Sequence, residues 1–178
     1  MIKPKAILFD RDGVVNYRIV GDYVKNSDEF CFIPDFITFF KFIKDYGYLT
    51  LLVTNQQGVG KGIMNEKQLE SVFDNMQSDL LKLTASNFDK IYYCTDLAES
   101  KSFYRKPNPG MLLEAIEQYK LDLNQSIMIG DSKSDVLAGN AVGLKTILLS
   151  PPFKQKLNEP DFIFKNFDEI IANFNKLL

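Results

Sequence analysis

"AILFDRDGVVN", residues 6–16, ends a four-residue apolar run with two aspartates one residue apart, Asp10 and Asp12, followed by Gly13. A run this short and this apolar reads as a strand buried on both faces, and Gly13 lets the chain turn away at its end. Two carboxylates so close together repel, so the pattern implies a neighbouring cation. Similar apolar runs recur at 49–53, 90–93, 126–129 and 145–149, each closed by polar, Gly or Pro residues. Segments of helical period lie between them. One has Pro34 near its start and Gly47 past its end, a second opens on Asn65 as N-cap, and two more cover 108–119 and 132–143. The tail carries Phe164, Phe167, Ile170, Ile171, Phe174 and Leu178, a stripe that predicts a helix docked on the sheet. Strand–helix alternation predicts an α/β fold with a doubly wound, mainly parallel sheet. About twenty residues separate the first strand from its helix, long for such a unit, which predicts a flap at about 14–33.

The totals narrow the function. At 178 residues the chain fits one domain, 1–178, with enough length to bury a core unaided. A net charge of −2 offers no basic footprint for nucleic acid. The richest apolar region, 30–53, is interrupted by Asp35, Lys41, Lys44 and Asp45, so it does not span a membrane. Cys31 and Cys94 cannot build a disulfide framework, and with no signal-peptide core the expectation is a cytoplasmic protein with free thiols. Nothing marks an oligomer interface, so a monomer is expected. The absence of histidine excludes Ser-His-Asp triads, phosphohistidine chemistry and His-ligated metals.

What remains is a set of polar groups placed after the apolar runs: Asp10 and Asp12; Thr54, Asn55 and Gln56; Arg105 and Lys106; Asp131 and Asp135. In open α/β sheets ligands bind at the carboxyl ends of strands, where parallel strands would gather all of these. Carboxylates and carbonyl oxygens suit a hard cation such as Mg²⁺, and Thr54, Asn55, Arg105 and Lys106 suit phosphate oxygens. A carboxylate can attack phosphorus, and a second can move the protons. Taken singly, each cluster has an ordinary explanation as a turn, cap or solvated surface. Their ordered recurrence at strand edges favours a small-molecule phosphate site.

"FDRDGVVN", "VTNQQGVGKG", "YRKPNPGM" and "IGDSKSD" together resemble the successive motifs of the haloacid dehalogenase (HAD) superfamily, over roughly residues 6–149. The resemblance is nearest to its small capless branch, which holds the D-glycero-D-manno-heptose 1,7-bisphosphate 7-phosphatases and the histidinol-phosphate phosphatases. It implies a Rossmann-like core with no large cap, and a Mg²⁺-dependent phosphatase acting on a sugar-like phosphate through an aspartyl phosphate. It implies Asp10 as nucleophile, Asp12 as general acid and base, and Mg²⁺ held by Asp10, the Asp12 carbonyl and Asp131. Thr54 and Lys106 would stabilise the phosphoryl group and Arg105 would contact substrate, with Asp135 supporting the metal ligands from behind. Asn55 and Gln56 beside the strand end, and Asn16, Tyr17 and Tyr23 in the flap, are expected to face the substrate.

The branch commonly carries a Cys-x-His…Cys-x-Cys zinc loop before Arg-Lys-Pro. Here Cys94-Thr95-Asp96 stands at the first pair, and Ser102 and Tyr104 at the second. A tetrahedral structural Zn²⁺ is therefore not expected. Ser132 stands where the heptose enzymes often have Lys. The segment "GVGKG" (58–62) lacks the Gly and Ser/Thr that a P-loop needs, and no Arg follows Cys94 or Cys31 at thiol-phosphatase spacing. A receiver-type phospho-acceptor module, with Asp96 phosphorylated, and a degenerate non-catalytic relative are the competing readings from other classes.

Overall fold

A computed structural model describes residues 3–149 and 160–177. Its strands are β1 (Ala6–Phe9), β2 (Leu49–Asn55), β3 (Lys90–Cys94), β4 (Ile127–Gly130), β5 (Lys145–Leu149) and β6 (Phe162–Phe164). Its helices are α1 (Pro34–Asp45), α2 (Gln57–Gly60), α3 (Glu66–Thr84), α4 (Gly110–Tyr119), α5 (Lys133–Ala141) and α6 (Phe167–Asn173). All strand pairs are parallel, in the order β3-β2-β1-β4-β5-β6. This is the doubly wound order, in which winding reverses between β1 and β4 and leaves a crevice there. No large cap domain is inserted among the described residues.

The alternation of β1 divides the core. Ile7 and Phe9 face one apolar layer with α1, α3 and α6, while Ala6 and Leu8 face the other with α4 and α5. Phe9 lies edge-on to Phe36, Phe39 and Phe88, with ring centroids 5.6, 6.1 and 5.9 Å away. Emptying such a site by Phe→Ala costs about 3–5 kcal/mol, so β1 is firmly anchored just before Asp10. The helix starts follow their sequence signals: Pro34 opens α1, and Asn65 and Gln68 cap α3 reciprocally.

The tail departs from expectation. Phe164, assigned to the helical stripe of the tail, belongs to the short edge strand β6, paired with Leu149. The helix begins only at Phe167, where Asn166 Oδ1 accepts from the Glu169 N–H. Gln57–Gly60 forms a brief helix, α2, just past the end of β2. Leu178 lies outside the described residues. The stretch 14–33 carries no regular strand or α-helix; it holds a short 3₁₀ turn and is fastened by isolated bridges of Asn16 to Asp12 and to Phe32.

Candidate active site

Asp10 leaves β1 at the reversal, where its N–H donates to the Ile129 carbonyl of β4 at 3.0 Å. Asp131 follows β4 directly, so the two acids emerge side by side from neighbouring parallel strands. Gly13 is required between them. It has φ +91°, and a Cβ there would stand 2.1 Å from Asp131 Oδ2. Gly130 is required for a similar reason, since a Cβ would meet Asp135 Cβ at 2.1 Å. Asp10, Asp131 and Asp135 present carboxylate oxygens within 4.8 Å of one another, a grouping that could hold a metal ion.

Three cations face these acids. Lys106 is buried and donates to Asp10 Oδ1 at 2.9 Å and to the Val53 carbonyl at 2.6 Å, with Asp135 Oδ1 at 2.6 Å. Burial works against its ammonium, but Asp10 and Asp135 outweigh that and raise its pKa. Arg11, fully buried, grips Asp12 through Nη2 at 3.0 and 2.9 Å and Nε at 3.3 Å, its guanidinium lying over Phe73. Arg18, from the flap, donates through Nη2 to Asp131 Oδ1 at 2.9 Å and to the Asp12 carbonyl at 3.3 Å.

These surroundings set the acids apart. Burial, followed by repulsion from Asp135 and Asp12 and against the pull of Lys106, raises Asp10 to about 6. Burial and repulsion from Asp10 raise Asp131 to about 7 despite Arg18. Burial pushes Asp12 the same way, yet Arg11 and the hydrogen bonds from Asn16, Arg11 and Gln56 overcome it and hold Asp12 below the ordinary carboxylate value. Asp135 also accepts from the Ser132 N–H at 3.1 Å and Oγ at 2.5 Å, so it caps α5 and anchors Lys106 together.

The acids open into a cavity of about 480 Å³ lined by Asp10, Asp12, Lys106 and Asn55 on the sheet side and by Arg18 and Tyr23 on the flap side. Tyr23 lines the cavity, packed on Gly58, where a Cβ would stand 3.0 Å from its ring. Asn55 lines it too, its amide closing onto Lys106 through the N–H (3.1 Å) and carbonyl (2.9 Å) of that residue. Arg105 sits in an adjoining hollow, donating to the Asp96 carbonyl at 3.0 Å and to Gln57 Oε1 at 3.2 Å.

Asn16 and Gln56 do not face the cavity. Both are buried, with amides donating to Asp12 at 3.0 Å each, and Gln56 also donates to Thr54 Oγ1 at 2.9 Å. The partly buried Asp12 carboxylate takes up these donors, which corrects the substrate-facing expectation for these two residues. Thr54 is itself buried, its hydroxyl proton still available to donate. Tyr17 is more than half exposed and does not line the cavity. Asp96, the acceptor in the receiver reading, is engaged with Cys94 and Ser102 away from the acidic group. Two residues of the centre, Arg11 and Arg18, escape the sequence reading. Only the need of paired acids for counter-cations points to them.

Against known proteins, a HAD-hydrolase-like family model matches residues 103–170. The D-glycero-beta-D-manno-heptose-1,7-bisphosphate 7-phosphatase of Helicobacter pylori is 36% identical over 167 residues, 94% of this chain and 95% of that protein. The chain belongs to the HAD hydrolase superfamily. The enzyme of the same name from Haemophilus influenzae is 40% identical over 180 residues, covering 98% of this chain and 96% of its own. The solved structure of a D,D-heptose 1.7-bisphosphate phosphatase from B. bronchiseptica, complexed with magnesium and phosphate, shares the fold with TM-score 0.84 at 23% identity, over 98% and 99% of the two chains. Among the described residues no helix is long and apolar enough to cross a membrane.

Proposed function

We propose that this HAD hydrolase is a Mg²⁺-dependent phosphatase that removes the 7-phosphate of a heptose 1,7-bisphosphate through an aspartyl phosphate on Asp10. The observation that carries the reading is the meeting of Asp10 with Lys106 and with Asp131 at the carboxyl edge of the sheet, where Asp10 and Lys106 line an open cavity. The substrate follows from the names of relatives 36–40% identical over nearly the whole chain.

The donor set fits a hard divalent ion. It is all oxygen, it includes two acids whose ionisation is opposed by burial, and a guanidinium already spans an acid and a carbonyl there. Asp10, Asp131 and the Asp12 carbonyl would hold Mg²⁺, which supplies positive charge against the phosphoryl oxygens. Asp135 is less suited because Lys106 and Ser132 occupy it.

Asp10 attacks phosphorus as the ester P–O bond breaks, and the departing oxygen takes a proton from Asp12. Water then attacks the aspartyl phosphate, Asp12 receives its proton, and phosphate leaves with Asp10 restored. Lys106 orients Asp10 and neutralises charge gathering on the phosphoryl group. Asp12 is the one acid held towards its ionised form, which suits the second half. The proton for the first half can arrive with the substrate, since a phosphate monoester has a second pKa of about 6.

The test is turnover of a phosphate panel with Mg²⁺: both anomers of heptose 1,7-bisphosphate, histidinol phosphate, hexose mono- and bisphosphates and nucleotides. The expected result is preference for the heptose at C7, with Asp10→Asn inactive yet folded. Retained turnover in Asp10→Asn overturns the mechanism. Preference for another phosphate overturns the substrate alone.

A further inference from the structure

The four acids of the centre have three cations between them, and these differ in how firmly they are held. Arg11 and Lys106 are buried, each fixed by at least three contacts. The Arg18 side chain is 51% exposed, comes from the flap, and reaches the centre through the single nitrogen Nη2. That nitrogen touches Asp131 Oδ1 and the Asp12 carbonyl, two of the three groups assigned above to the metal ion.

We propose that Arg18 is a displaceable counter-cation that competes with the divalent ion for these two oxygens. Resting on the metal ligands assigned above, this makes Arg18 a positioning residue for metal loading. A guanidinium and a divalent cation cannot share a carboxylate oxygen and a carbonyl without repulsion. Occupation by one therefore expels the other, and linkage makes the competition reciprocal. Of the three cations only Arg18 can leave, because a long side chain at a half-exposed site gives up little when its pair breaks. Arg18 also lines the cavity, so the expelled guanidinium faces into the space where a phosphate would lie. The flap thereby registers whether the centre is loaded: in one state Arg18 holds the flap to Asp131, in the other it is released towards the cavity.

The test uses Mg²⁺ alone, with no substrate. Binding is measured by calorimetry at constant ionic strength for the wild type, Arg18→Ala, Arg18→Gln and Asp131→Asn. In the wild type, the Arg18 side-chain Nε–H signal, assigned from its loss in Arg18→Gln, is followed by NMR. We expect Arg18→Ala and Arg18→Gln to bind Mg²⁺ about 2–5-fold more tightly, the yield of freeing the ligands from a half-exposed ion pair. We expect the Arg18 signal to shift with the midpoint of the calorimetric curve. Because removing a nearby positive charge would tighten binding somewhat by itself, the signal is the deciding readout. Unchanged or weaker binding in the Arg18 variants overturns the proposal, as does an Arg18 signal that stays put while Mg²⁺ binds. If Asp131→Asn binds Mg²⁺ as well as the wild type, the ligand assignment itself fails. If no variant binds Mg²⁺ at all, the metal reading falls and the competition with it.

Discussion

Replacing Lys106 with Met keeps an unbranched stem one heavy atom shorter and removes the charge and the donors. The ammonium stands 2.9 Å from Asp10 and 2.6 Å from Asp135, both buried, and also donates to the Val53 carbonyl. Removing one partner of a buried ion pair costs about 3–5 kcal/mol, because the other charge stays behind in a poor solvent. For a chain of this size each kcal/mol lowers Tm by about 2–4 °C, so Lys106→Met should melt about 6–20 °C below the wild type at pH 8. The orphaned acids can take up protons in place of the ammonium, so the gap should narrow at pH 5.5. Turnover should fall by about 10²–10³, the usual loss when a donor to developing negative charge is removed. The diagnostic step is a cycle with Asp135→Asn. In the wild-type background that change should destabilise, since it weakens an ion pair. In Lys106→Met it should stabilise, since it removes one of the stranded charges while the new side-chain amide can still accept from Ser132. The expected coupling is about 1–3 kcal/mol, read from urea melts at fixed pH. Additive effects, or a Lys106→Met loss below about 1 kcal/mol, would refute the idea that Lys106 is what permits two buried acids to coexist.

Gly13→Ala should cost about 1–3 kcal/mol through the strained φ of +91° alone, and its Cβ would push Asp131 aside, so Mg²⁺ binding by calorimetry should weaken at least tenfold. Unaltered Mg²⁺ affinity in a folded Gly13→Ala would sink the placement of Asp131. A second expectation concerns pH. In metal-free protein Asp10 is raised to about 6 and Asp131 to about 7 from 3.8, so the folded chain binds more protons than the unfolded one across that interval. Stability must then fall as pH rises from about 4 to 7, by up to about 7 kcal/mol, since a tenfold change in proton affinity is worth about 1.4 kcal/mol. Asp12, lowered by its neighbours, acts in the opposite sense but below pH 4. Melts in EDTA between pH 4.5 and 8 check this, and a Tm that rises across the range would contradict it.

The five-strand frame and the acids at strand ends were legible because each rests on a local signal. A four-residue apolar run reads as a buried strand, and a D-x-D at its end gains meaning from the other polar clusters that recur after the later runs. Lys106 and Asp131 were legible for a different reason, since parallel strands bring every carboxyl end to one edge. β6 was not legible. Its three residues form an edge, and Phe164 falls at helical spacing from Phe167, so only the Asn166 cap separates strand from helix. Asn16 and Gln56 were assigned to the substrate because polar residues near a site look available. A partly buried carboxylate such as Asp12 takes donors on both oxygens, and these two are among those that supply them. Polar residues nearest a buried acid belong first to the acid.

The charges at the centre also require it to exchange one of its cations. Among the described residues Asp10, Asp12, Asp131 and Asp135 are paired with Arg11, Lys106 and Arg18, four acids against three cations, and burial together with mutual repulsion raises the pKa values of Asp10 and Asp131. A phosphate monoester brings a further charge of about −1.5 to −2 at neutral pH. Placing it against Asp10 in a partly desolvated cavity is unfavourable unless positive charge is added first. Arg18 supplies a single charge and spends it on Asp131, whereas a divalent ion at the same oxygens supplies two and frees Arg18 for the incoming anion. Exchange therefore improves the charge balance twice over. This requires the exchanged cation to be the exposed one on the flap, as Arg18 is, while Arg11 and Lys106 stay fixed on the buried frame.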